Sequence, residues 1–245
     1  MFERLVQAGF EIQFTNHAQA ILEHDFSELI DELESALIEL RLPITEIIGG
    51  GGGEAKMTQR LRRKLADVSW LKHNFEMRKI VDGVEKESIS HEIDHVRRSE
   101  AGTVAFEIEW NNKDPFFDRD LENFKRLHAE GAISLGGIVT RGSEMQTTMR
   151  ERVAQFAADR EISSFEGLIE YGAGSPTAPQ RKQMESDIAR GMSFVDAWSR
   201  KFTADKFGQA TTHWSKLQDR VSRGVGNPCP LILVGLPAAI IDMDR

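Results

Sequence analysis

A chain of 245 residues, 40% of them hydrophobic, is long enough for one α/β domain with a sizeable core. Its single cysteine, Cys229, excludes an internal disulfide and a cysteine-rich zinc site, and fits a reducing cytoplasm. No early apolar run resembles a signal peptide and Pro237 interrupts the longest apolar stretch, so neither secretion nor a membrane span is expected. The net charge of −8 is local: residues 1–50 hold ten Asp and Glu against Arg4 and Arg41, while the remaining 29 basic and 29 acidic residues cancel.

Within that acidic segment, about 1–48, Ala18, Ile21, Leu22, Phe26, Leu29, Ile30, Leu33, Leu37 and Leu40 recur at helical spacing. The pattern predicts helices with acidic outer faces, serving as scaffold or subunit interface. A glycine run, Gly49–Gly53, follows; no Gly-Lys-Ser/Thr comes after it, so it is not a nucleotide-binding P-loop. Lys56, Arg60, Arg62, Arg63 and Lys64 come next with no acid between Ala55 and Ala66, and Met57, Leu61 and Leu65 give an apolar seam. Such a basic helix suits phosphate contact through Lys56, Arg60 and Arg63, or equally pairing with the acidic segment before it.

The most informative stretch is Asp94 to Lys113. Val104, Phe106, Ile108 and Trp110 alternate with Ala105, Glu107 and Glu109, the two-residue period of a half-buried strand, so the two glutamates share a side. Ile89 and Ile93 mark a short preceding strand, and Arg98 to Gly102 suits a hairpin loop. With Arg97 facing Val104, antiparallel counting sets Asp94 opposite Glu107; a slip of one residue would turn Asp94 away. Like charges this close resist joint ionisation unless a cation sits among them. Hard oxygen donors suit magnesium. Glu76, read at the end of a preceding helix, is a candidate fourth carboxylate, and Lys113 a candidate phosphate contact.

Downstream, Asp118–Glu130 places Leu121, Phe124, Lys125 and His128 at helical spacing, Gly131 closes the helix, and Leu135–Thr140 reads as a buried strand. Strand, strand, helix, strand is a compact α/β order. Ser143–Ala158, Ala178–Lys201 and Thr212–Arg223 read as helices, separated by a turn-rich segment at 171–179. Phe14, Trp70 and Trp214 are expected in the core. There is no internal repeat and no linker that would split residues 1–245.

At this point the residues resemble a family. Glu107-Ile-Glu-Trp-Asn-Asn-Lys-Asp-Pro-Phe-Phe-Asp-Arg-Asp-Leu121, with Asp94 before it, resembles the BglII/BstYI group of type II restriction endonucleases. A second block, Thr211-Thr-His-Trp-Ser-Lys-Leu217 and then Gly226-Asn-Pro-Cys-Pro230, is similar to the same group. The resemblance implies a PD-(D/E)xK nuclease fold, with a central mixed sheet flanked by helices. It also implies a homodimer and magnesium-dependent cleavage of both DNA strands at a short palindrome, with a GATC core as the best guess. Carried over by position, Asp94 and Glu107 would be metal ligands, and Glu109 stands where the wider superfamily has lysine, as an acidic residue does in BamHI-like enzymes. Ile93 precedes Asp94 in place of the motif's proline. Contacts to bases would come from loops and helix ends of the later region, making Arg141, Ser143, Thr211, Thr212 and His213 candidates, with Arg220 and Arg223 behind them. A cognate DNA methyltransferase would protect the host genome.

Two other classes compete. A catalytically silent DNA-binding or assembly protein could share the fold, against which the intact Asp94, Glu107 and Glu109 count. A glycoside hydrolase would need two carboxylates flanking a bond, and Glu107 and Glu109 lie too near each other on one strand for that.

Overall fold

The computed structural model describes residues 1–50 and 53–244; Gly51 and Gly52, the middle of the glycine run, lie outside the described residues. In chain order the elements are α1 (Glu3–Gln7), β1 (Glu11–Thr15), α2 (Ala18–Asp25), α3 (Ser27–Ile38), β2 (Leu42–Pro43), α4 (Ile44–Ile48) and α5 (Lys56–Asp67). Then come β3 (Leu71–Val81), β4 (Val84–Ser99), β5 (Gly102–Glu109), α6 (Phe116–Ala129), β6 (Leu135–Arg141), α7 (Ser143–Asp159) and α8 (Phe165–Glu170). The chain ends with α9 (Ala178–Ala189), α10 (Phe194–Lys206), α11 (Trp214–Ser222), β7 (Leu231–Leu236), a 3-10 turn (Ala238–Ile240) and β8 (Ile241–Asp242). Six strands form a mixed sheet in the order β1-β7-β6-β5-β4-β3, and β2 pairs with β8 separately.

The inner strands β5, β6 and β7 run parallel, while β4 and β1 join antiparallel on either side. This is the central mixed sheet flanked by helices that a restriction-endonuclease-like core requires. The expected register holds, with Arg97 opposite Val104. One face of β5, through Val104, Phe106, Ile108 and Trp110, packs with the N-terminal helices and α7; the other, through Ala105, packs with Phe117, Leu121 and Phe124 of α6 and Leu217 of α11. Gly136 and Gly137 of β6 make this close packing possible. A Cβ on Gly136 would stand 2.8 Å from Phe124, and one on Gly137 2.2 Å from Phe106.

Four expectations are corrected. The short strand at Ile89 and Ile93 is the middle of a 16-residue β4, paired with an 11-residue β3 through the turn Asp82-Gly83, both at positive φ. Glu76 therefore lies on β3 and not at a helix end. The single helix expected over Ala178–Lys201 is two, because Gly191 turns the chain at φ 95° and Ser193 caps α10 by accepting from the backbone N–H of Asp196. The acidic segment, expected to be helical, also contributes β1 to the sheet edge.

That segment's carboxylates hold the fold together. Glu34 accepts from the backbone N–H of Arg4 and Leu5 at the start of α1, and Glu32 accepts from Trp70 Nε1 at 2.7 Å and from Arg97. Glu11 accepts from the backbone N–H and hydroxyl of Ser143, where α7 begins and the helix dipole favours an anion. Glu46 takes Arg60 through both oxygens, at 2.7 and 2.9 Å, and Glu39 takes Lys64. Much of the positive charge on α5 is thus answered within the chain.

Candidate active site

Parallel strands deliver their carboxyl ends to one edge of a sheet, where side chains can converge without a helix in the way. At that edge β5 ends in Glu107 and Glu109, which face α6 and are 5% and 3% exposed. They are joined by a residue the sequence reading missed, Asp120 of α6, which is 1% exposed. Its position has a helical logic: Asp120 lies three residues after Phe117 and four before Phe124, so the phase that buries those rings buries its carboxyl too.

Glu109 Oε2 accepts from Asn112 Nδ2 at 2.7 Å. Burial is the main reason that all three carboxyls hold their protons more tightly than usual. Glu107 is raised well above its ordinary value by burial and then by the charges of Asp120, Asp94 and Glu109. Glu109 is raised to about 8 by burial and by Asp120, and Asp120 is itself raised by burial. Arg119 is the cation among them. It donates from Nε to Asp120 Oδ1 at 2.8 Å, and Nη2 stands 2.7 Å from the same oxygen and 3.5 Å from Glu109 Oε1.

Asp94 occupies a different place from the one strict alternation gives. Between the pairs Leu71–Val96 and His73–Ile93, β3 has one residue and β4 has two, so Asp94 and His95 form a bulge opposite Lys72. The Asp94 carboxylate is half exposed, 3.5 Å from Lys72 Nζ, yet its charge reaches Glu107. The expected trio of Asp94, Glu107 and Glu109 does not close around one point. Among the described residues no three His, Cys, Asp or Glu are positioned as they stand to hold a metal ion. The buried group is instead Glu107, Glu109 and Asp120. Its chemistry fits a divalent cation, because three buried carboxyls share one arginine and Asp120 Oδ2 has no hydrogen-bond partner. Glu76 is not brought to this group. It pairs with Arg78 at 3.4 Å and faces Ser90, four residues along β4 from Asp94, about 13 Å at the rise of a strand.

The second sequence block folds onto the first. Lys113 bridges to Thr211, Asp114 N–H donates to Ala210 O, Thr212 N–H donates to Asn112 O, and Asn112 N–H donates to Thr212 Oγ1. Arg141, at the end of β6, pins the two together. It donates to Asn111 Oδ1 at 2.7 Å, Thr211 Oγ1 at 2.7 Å and Thr212 O at 2.8 Å, with its guanidinium over the rings of Phe207 and Trp110. Fully buried, it is not at the surface, and Ser143 is held by Glu11.

His213 is also buried, and burial first, then the charge of Arg141, lowers its pKa to about 4, so it is neutral at pH 7. Lys113, Lys56 and Arg63 are exposed. Arg60 is engaged by Glu46 and Arg41 O. Arg220 clasps Asp118 and Asp114, and Arg223 pairs with Asp219.

No helix among the described residues is long and apolar enough to cross a membrane. No curated protein matches the sequence. The family model described as restriction endonuclease BglII/BglIII matches residues 10–236, a span that takes in β1, the carboxylate cluster, the second block and β7. The family acts on DNA and generally uses a divalent metal, as the carboxylate cluster leads one to expect. The chain therefore belongs to the BglII/BglIII restriction endonuclease family, and is a type II site-specific deoxyribonuclease.

Proposed function

We propose that this deoxyribonuclease is a magnesium-dependent homodimer that hydrolyses both strands of DNA at a short palindrome, with a GATC core and a 5′ overhang. The observation that carries this reading is the burial of Glu107, Glu109 and Asp120 around one arginine at the carboxyl edge of the sheet. A site so rich in buried acid is costly to build unless cation binding is its purpose.

In this reading Asp94 and Glu107 hold the magnesium. A magnesium ion held there would supply Lewis-acid chemistry, activating water and offsetting charge on the scissile phosphate. Glu109 orients the attacking water and accepts its proton, with Asn112 fixing the carboxylate from one side. Lys113 contacts a phosphate near the cut. Lys56, Arg60 and Arg63 of α5 follow the backbone further out, and Arg141, Ser143, Thr211, Thr212 and His213 shape the surface that reads bases. Cutting both strands of a palindrome requires two such sites related by a twofold axis, hence the homodimer. The enzyme works in the cytoplasm beside a methyltransferase that protects the same sequence in the host.

The deciding experiment incubates unmethylated plasmid DNA with the protein, with and without magnesium, and sequences the ends. Discrete magnesium-dependent fragments with palindromic ends are the expected result. Metal-dependent retardation without cutting would replace this reading with a catalytically silent DNA-binding protein.

A further inference from the structure

Arg119 stands out among the arginines near the site, because it is fixed in place and still has an edge to offer. Asp120 grips one edge of its guanidinium through Nε and Nη2, and the Phe116 ring lies 4.5 Å beneath its central carbon. Edge and face are therefore both fixed. Yet the side chain is half exposed, and among the described residues Nη1 donates to no protein group. Arg141 and Arg220, by contrast, are buried, and the terminal nitrogens of both are given to partners within the fold. A planar cation anchored by a buried carboxylate, with free N–H groups beside an acidic pocket, is built to bind an oxyanion bidentately.

The rest of the pocket lacks such a group. Glu109 occupies the position at which a lysine would supply fixed positive charge, and a carboxyl there cannot do so. Lys72, the other cation close by, is turned to Glu92 at 2.6 Å and to Asp94. We propose that Arg119, held by Asp120, is a catalytic residue that donates from its free guanidinium edge to a non-bridging oxygen of the scissile phosphate. It thereby supplies the positive charge that Glu109 has displaced. Asp120 is a positioning residue, acting through Arg119 and Glu109. Before DNA arrives, the same arginine holds the acidic pocket together, so its charge serves the fold in one state and the reaction in the other.

This inference rests on the nuclease reading, and its test keeps the two apart. A duplex carrying a site cut by the wild type is cleaved under single-turnover conditions at saturating magnesium. DNA affinity and Ca2+ binding are measured alongside, the latter by titration calorimetry. Arg119→Ala is expected to slow cleavage by about 100-fold or more, the usual cost of removing one donor to a developing oxyanion. DNA affinity and Ca2+ binding persist, and added guanidinium ion restores part of the rate.

Arg119→Lys, a point charge without the fork, falls between the two, and Asp120→Asn slows cleavage less than Arg119→Ala. Cleavage by Arg119→Ala at the wild-type rate overturns the proposal. So does loss of Ca2+ binding in step with cleavage and without guanidinium rescue, which would mark Arg119 as a structural counter-ion only. A wild type that binds Ca2+ and cuts no DNA overturns the nuclease reading and this inference with it.

Discussion

Replacing Glu109 by glutamine should stabilise the metal-free protein, by an amount that grows with pH. In the folded chain burial and Asp120 raise the Glu109 pKa from 4.5 to about 8. Below 4.5 the carboxyl is protonated in both folded and unfolded chains, and its contribution to the fold is intact. Between 4.5 and about 8 only the unfolded chain releases the proton, so stability falls as pH rises, and above 8 the loss is complete. The full shift corresponds to about 5 kcal/mol, and by pH 7 about 3 kcal/mol is already lost.

Glutamine is free of this penalty and keeps the shape. Its carbonyl accepts from Asn112, and its amide donates toward Asp120, whose Oδ2 has no partner. The 3.5 Å approach of Arg119 to Oε1 is too long to offset that gain. In a chelator, thermal unfolding should put Glu109→Gln roughly 6 to 12 °C above the wild type at pH 7. The gap should be small at pH 5 and wider at pH 9. A variant no more stable than the wild type at pH 8, or a gap that stays constant from pH 5 to pH 9, refutes the burial argument.

Three further outcomes follow from the same geometry. Glu107→Ala should abolish cleavage, by about a thousandfold or more, while circular dichroism and sedimentation show a folded protein of unchanged assembly, because on the proposed mechanism it removes an ion ligand worth several kcal/mol in the transition state. Gly137→Ala should cost about 1–3 kcal/mol or more in urea denaturation, since the new methyl would meet the Phe106 ring at 2.2 Å. Arg141→Met should cost about 2–4 kcal/mol in the same measurement and depress cleavage, because Asn111 Oδ1 and Thr212 O lose their donor and the segment carrying Asn112 loses its pin.

The strand that carries the site was legible because its chemistry alternates. Thr103 to Trp110 reads apolar on one side and acidic on the other, and a short polar loop leaves few registers open, of which the one supposed, Arg97 opposite Val104, is the one formed. The long hairpin of β3 and β4 was not legible in that way. Its outer half is exposed on both faces, so no two-residue period develops, and Asp82-Gly83 was the one local signal of the turn. The bulge at Asp94 and His95 arises from pairing with β3, a strand the local pattern did not reveal. Asp120 hid within the charged run Asp118-Arg119-Asp120, which looks like a solvated helix face. The spacing of Phe117, Leu121 and Phe124 was the evidence that its last member turns inward.

The contact between the two sequence blocks has a consequence for how recognition and cutting are joined. Asn112 uses its side chain to hold Glu109 and its backbone to exchange hydrogen bonds with Thr212. The carboxylate proposed to act at the reacting centre and the segment from Thr211 to His213 are therefore one residue apart in mechanical terms, though about a hundred positions apart in sequence. Arg141 stiffens that link from beneath, in a buried setting where broken hydrogen bonds are expensive. A shift of Thr212 by even a fraction of an ångström has to move the Asn112 backbone, and with it the donor that orients Glu109. If the Thr211–His213 segment meets bases, a wrong sequence does not need to weaken binding to suppress cleavage. Displacing this segment is enough to misplace the proposed proton acceptor, and a misplaced catalytic group loses rate steeply.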